Sequence, residues 1–403
     1  MDYLTNDTDL KKVADAIRAK GGTSAPLAYP SGFVSAIQAI KSAPATPYME
    51  AEYVAVEDGS ITSHYIKSAK LYNHTAVYAY EFATQYNLNS LDFGDASNNI
   101  TTIEADAFTS ANLAGIVLPD TITSLQDACF AQAFIATLEL PAQITEIPKN
   151  AFRGINAAYS SETDEELPIN IILPPNLTKI GNYCFYNAQI KQISIPDTVT
   201  EIGESAFQYC IGLTSFVIPP LLQKIPQYML QGCENITAIT IPAAVTEIGE
   251  GAFENTGITS ITIPATITTL GMSMLRSCVN LATINIQTNV TEIPDRFAQE
   301  SGRTSVTLPD TVETIGDSAF SSSRANLTEI TIPASVTSIG DYAFAQNESM
   351  TTITCLAATP PTLGRNAFTM NTINTTIKVP AASVAAYKAA ADWSTWADII
   401  VAM

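Results

Sequence analysis

The chain has 403 residues, 39 acidic against 19 basic side chains, a formal net charge of −20 and 46% hydrophobic residues. That charge repels polyanions and argues against nucleic-acid and anionic-lipid partners. No run of about eighteen apolar residues occurs, so no membrane-spanning helix is expected.

Residues 1–43 differ from the rest. Asp7-Thr8-Asp9 precedes Leu10, Val13, Ala14 and Ile17, a helical spacing with an acidic start, and Gly21-Gly22 stops it. Pro30-Ser31-Gly32 opens a second helix carrying Phe33, Val34, Ile37 and Ile40. The two predict a small helical hairpin, too small to be stable alone, so it is expected to dock or self-associate as an attachment module. The stretch Ala14–Ser24 resembles an N-terminal module of prophage-encoded tail or virion-associated proteins. No apolar core precedes a small-residue cleavage site at the N-terminus, so export without a cleaved signal, or with one already removed, is expected.

Residues 44–92 read as a linker and an N-terminal cap. Ala43-Pro44-Ala45-Thr46-Pro47 is the linker. Tyr48, Tyr53, Tyr65, Tyr72, Tyr78, Tyr80 and Tyr86 follow, with Phe82. They suit the strands of a cap with their hydroxyls wet; an aromatic platform for sugars is the alternative. His64 and His74 both lie here, without the Cys or carboxylate spacing of a zinc motif. With no other histidine in the chain, a His-based triad inside the later repeats is excluded. No cofactor or metal is expected, and the chain is not expected to be an enzyme.

Residues 93–376 repeat one phrase, in outline I-x-I-P-x-x-V-T-x-I-G-x-x-A-F. Its proline recurs at Pro119, Pro141, Pro174, Pro196, Pro219, Pro242, Pro264, Pro309 and Pro333, with Gln287 in the same place once. A second marker keeps the same period: Phe108, Phe130, Phe152, Phe185, Phe207, Leu230, Phe253, Leu275, Phe297, Phe320, Phe344 and Phe368. Steps are 22 to 24 residues, with one of 33, giving about twelve turns.

Each part of the phrase has a physical task. In Ile239-Thr240-Ile241 the alternation turns both Ile inward and Thr240 outward. Pro242, lacking an N–H, ends the strand. Val245-Thr246-Glu247-Ile248-Gly249 predicts a short second strand. Ala252-Phe253 then predicts a helical or 3-10 turn whose Phe plugs the core. One turn cannot bury its apolar residues alone, but stacked turns at the strand spacing can, forming a rod or arc roughly 55–60 Å long.

The phrase Leu327–Phe344 and its fellows resemble the BspA-like leucine-rich repeats. The resemblance implies a β-rich solenoid with a parallel sheet on the concave face, and binding to proteins or cell surfaces. It implies no catalytic residues. An extracellular, cell-surface or virion-associated location follows as an expectation, with a protein or cell-surface glycan receptor as the partner.

Three departures from the pattern stand out. The six cysteines follow repeat phase, Cys210, Cys233 and Cys278 three residues after the plug, so buried unpaired thiols are expected. A disulfide between Cys210 and Cys233 is the alternative. The 33-residue step holds the acidic insertion 160–168, a solvated loop or a cation contact. Residues 377–403 read as a C-terminal cap: strand Ile377–Val379, a helix over Ser383–Ala391, and Trp393 and Trp396 sealing the last turn.

Outward positions of the first strand are nearly free of charge, whereas Glu146, Lys179, Glu201, Lys224, Glu247 and Glu292 on the second alternate in sign. A weakly polar sheet face desolvates cheaply. Binding is therefore expected on the first-strand face, at Val217, Thr240, Thr262, Asn285, Thr307 and Thr331. The rival readings are sugar binding by the Tyr-rich cap and a ligand-free spacer.

Overall fold

The computed structural model describes residues 47–57, 62–94, 99–114, 116–158, 166–322, 327–369, 371 and 375–403. The expected helical hairpin over 1–43 and most of the insertion 160–168 lie outside them. The described chain is a β-solenoid of about fourteen coils.

It opens on an antiparallel hairpin, β1 (Tyr48–Glu57) on β2 (Thr62–Tyr72). β2 then pairs in parallel with Ser90–Asp92, which hands the sheet to the repeats. The second-strand ladder begins at Ala76–Val77 beside Thr102–Ile103, ahead of the first proline phrase, and reaches Thr362–Leu363. Phe82 is fully buried and stacks on Phe108 at 5.4 Å, so its segment is itself a coil. That coil, and the closing strand Thr376–Val379, extend the array beyond the twelve turns the markers count.

The plug segment is not helical. Around Phe108 the chain makes consecutive tight turns, Ala107 N–H to Glu104 O and Ala111 N–H to Phe108 O. Residues two before and two after the plug take left-handed backbone, as Asp106 (φ 57°) and Ser110 (φ 59°) do. The alternation aims N–H groups at the next coil: Phe108 N–H donates to Cys129 O and Ser110 N–H to Ala131 O, both at 2.8 Å. The second strands donate the opposite way, as in Gln126 N–H to Ile103 O at 2.9 Å. A 3-10 turn would close its bonds within one coil and forfeit this inter-coil ladder. The glycine before the plug follows from closeness: a Cβ on Gly249 would stand 2.6 Å from the Gln227 nitrogen.

Phe108, Phe130, Phe152, Phe185 and Phe207 stack at 5.1–5.6 Å with interplanar angles of 8–12°. Phe320, Phe344 and Phe368 form a second stack. Between them the plugs are Leu230, Phe253 and Leu275. Phe297, which the spacing places among the plugs, stands one position early. Its N–H bonds to Pro294 O, as Ala319 bonds to Gly316 O, and it meets Phe320 edge-on at 72°. Ala298 holds the plug position, with its N–H on Ala319 O. Arg303 fills the space an Ala leaves: it is fully buried, 5.3 Å over the Phe320 ring. Its guanidinium donates to Ala298 O, Ser301 Oγ, Phe320 O and Asn347 Oδ1. A one-residue slip inside a period of 22 to 24 is invisible to spacing.

All six cysteines are free and buried. The shared phase has a cause. Cys210, Cys233 and Cys278 donate their S–H to the plug carbonyls of the preceding coils, Phe185 O (2.9 Å), Phe207 O (3.1 Å) and Phe253 O (3.1 Å). At the same site in other coils Thr256 and Ser301 donate to a plug carbonyl within their own coil, and Asn347 to the plug carbonyls of both its own and the preceding coil.

At the C-terminal end come Thr376–Val379, helix α1 (Val384–Ala389), a 3-10 segment Ala391–Ile399 and Ile400–Ala402 returning parallel to Thr376–Val379. Trp393 is fully buried, donates to Pro361 O at 2.8 Å and packs 5.7 Å from Phe368. Trp396 meets the same Phe at 5.8 Å. Both tryptophans seal the final coil.

Candidate functional site

First-strand positions put one column of side chains outward at every second residue; strands form at Asn170–Ile172, Ser260–Ile263, Thr283–Ile286, Ser305–Thr307 and Glu329–Ile332, whereas the expected strand at Ile239-Thr240-Ile241 and the segment around Val217 run without ladder pairing. Val217, Thr240, Thr262, Asn285, Thr307 and Thr331 are all exposed, and their inward neighbours are mostly buried. Register brings Thr262 beside Asn285 and Asn285 beside Thr307; Thr331 lies beside Thr354. A second outward column runs in parallel, with Ser260 beside Thr283 beside Ser305. Across both columns, the fourteen outward positions from Asn170 to Thr307 carry no charged side chain. Val217 is 77% exposed near the centre of this band.

Charge returns at both ends. Toward the N-terminus the sheet presents Lys67 with Glu52 at 3.1 Å and Lys70 with Asp92 at 3.0 Å. Toward the C-terminus Glu329 and Lys378 are exposed. The second-strand face is charged throughout its middle, where Lys179 pairs with Glu201 at 2.9 Å and Lys224 with Glu247 at 3.2 Å. Such exposed pairs mark a solvated surface.

The side chains of Tyr48, Tyr53 and Tyr65 lie outside the described ones. Tyr72 donates to Glu50 across the hairpin, while Tyr80 and Tyr86, 66% and 47% exposed, sit on the first coil. His74 is buried with Nδ1 2.9 Å from Tyr72 O and Nε2 2.9 Å from the Glu81 carboxylate, tying hairpin to coil. Among the described residues no group of three His, Cys, Asp or Glu side chains could hold a metal ion.

One cluster escaped the sequence reading. Tyr183, Tyr186 and Tyr209 meet on the plug-loop side, with ring centroids 5.9 and 5.6 Å apart. Arg153 lies 5.5 Å over Tyr186. The signal was present as tyrosines at three different offsets from adjacent plugs, and only the coil geometry brings those offsets together.

Parallel coils of 22 to 24 residues that stack apolar plugs and short strands in register are the architecture of a leucine-rich-repeat protein. The chain belongs to the BspA type leucine rich repeat family, whose six-copy profile matches residues 75–210, 168–282, 200–326 and 269–390. No curated protein matches the chain. Similar solved structures include a leucine-rich repeat protein from Bacteroides ovatus, 21% identical with a TM-score of 0.49, covering 88% of this chain and 98% of that one. A leucine rich cell surface protein from Faecalibacterium prausnitzii is 18% identical, TM-score 0.41, covering 85% and 90%. The pneumococcal vaccine antigen PcpA is 14% identical, TM-score 0.42, covering 88% and 95%. Among the described residues no helix is long and apolar enough to cross a membrane.

Proposed function

We propose that this chain is a non-catalytic recognition scaffold that binds a protein receptor on its first-strand face. Residues 1–43 present it at a cell surface or on a phage-like tail. The observation that carries the reading is the uncharged band from Asn170 to Thr307 on a chain of net charge −20. An interface core must shed water, and hydroxyls, amides and small apolar groups shed it more cheaply than charges. Val217 supplies an exposed apolar anchor within the band. Where first strands pair, from Ser260 to Thr307, the ladder holds the face rigid before binding, which lowers the ordering cost.

The test places charge on the band. Thr240, Thr262 and Thr307 are changed to Lys together; each points outward, so the core is untouched. The control places Lys at Glu201, Glu247 and Glu292 on the second-strand face. Adhesion to host-surface extract should be lost in the first variant and kept in the control, at equal melting temperature. Binding kept by the Thr variant and lost by the control would assign recognition to the other face. Binding lost only on deleting residues 48–92 would give it to the tyrosine-bearing end.

A further inference from the structure

We infer that the plug-loop side of the coils spanning Tyr183 to Arg276 binds a linear, uncharged β-linked oligosaccharide. This site is separate from the first-strand face.

Three observations on this crest converge. Tyr183 and Tyr209 are each 40% exposed and flank Tyr186, whose ring is stacked by Arg153. Tyr209 lies on Gly232, where an added Cβ would come within 2.4 Å of its Cδ1. Backbone therefore backs the ring, as a stacking platform requires. Among the described residues the hydroxyls of Tyr183, Tyr186 and Tyr209 make no hydrogen bond.

From the coil of Tyr209 onward runs a row of planar polar groups at one repeat position. Gln208 donates to Gln231, Gln231 donates to Glu254 at 2.7 Å, and Arg276 pairs with Glu254 at 3.3 Å. Glu254 and Arg276 pair with each other, and the two glutamines add side-chain amides to the row. Sugar rings need this combination, flat aromatic surface for their C–H faces and planar hydrogen-bonding groups at the edge. The row advances one coil at a time, about 4.8 Å, roughly the length of one sugar unit in an extended chain. An anionic glycan would meet the acidic surface of the chain.

Isothermal titration of the full chain with cellohexaose and with chitohexaose tests this. At least one should bind saturably. The Tyr183→Ala/Tyr209→Ala double variant should weaken it about tenfold or more, with unchanged melting temperature, because both side chains are substantially exposed. Tyr80→Ala, on another exposed tyrosine, should bind as the parent does. So should the triple Lys variant of the first-strand face, which separates this site from the receptor face. Absence of saturable binding to either sugar overturns the inference. So does undiminished binding by the double variant, or loss of binding in Tyr80→Ala alone.

Discussion

Arg303 offers a sharp test of how the solenoid manages an error in its own repeat. The coil beginning at Pro294 has Ala where its neighbours have Phe or Leu, and the guanidinium fills the gap. Burial pushes Arg303 down to about 9, so the fold disfavours the charge it carries. Its acceptors are already served. Ala298 O also accepts from Ser301 Oγ at 2.8 Å, and Phe320 O from Asn347 Nδ2 at 3.0 Å. Arg303→Met keeps most of the volume, removes the buried charge and orphans neither carbonyl. Stability should stay level or rise by up to about 3 kcal/mol. Arg303→Ala opens a cavity under the Phe320 ring and should cost about 2–4 kcal/mol. Urea midpoints at constant slope give the overall change. Amide exchange across 294–330 gives the local one, because repeat arrays can open coil by coil. If Met costs as much as Ala, the guanidinium hydrogen bonds outweigh desolvation and this reasoning fails.

Two further perturbations probe the register and the thiols. Phe253→Ala should cost about 3–5 kcal/mol by urea midpoint, because its fully buried ring sits between Leu230 and Leu275, whereas Thr262→Ala should stay within about 0.5 kcal/mol; equal small effects would break the assigned register. Burial pushes the Cys278 thiol from 9.0 up to about 11, so the folded state holds its proton more tightly than the unfolded state does. Its contribution is complete below pH 9 and is lost as pH rises to about 11, worth about 2–3 kcal/mol. Cys278→Ser keeps a donor for Phe253 O without a titrating thiol in this range, so its stability should fall less over that window; an identical pH profile would show that the thiol does not contribute.

Much of the fold could be read because inward positions obey rules a sequence displays. Ile239 and Ile241 alternate, Pro242 cannot donate, and Phe253 returns at a fixed offset, each for a reason carried by the residue itself. Phe297 misled because a hydrophobic marker reports that an apolar group is near, not which of two adjacent positions it holds. The left-handed residues were hidden for a different cause. Asp106, Ser205 and Tyr342 share no side-chain type, and what selects their backbone is the carbonyl of the next coil.

The outward positions obey the opposite logic, and this is why the faces carry information. An inward residue is fixed by its neighbours, so its identity says little beyond the fold. An outward residue such as Thr262 or Glu247 is under no packing demand, and a bias there needs another source. Strand propensity explains Thr and Val at exposed strand positions. It does not explain why acid and base are both absent from fourteen outward positions of one face while Lys and Glu pair across the adjoining one. Nor does turn geometry call for Tyr at 183 and 209, since Ser, Asn and Gln hold the same left-handed backbone in other coils. These two departures lie on different sides of each coil, and the two proposals assign them different partners. On these proposals one solenoid carries a receptor face and a sugar-binding crest along one length, and neither constrains the core between them.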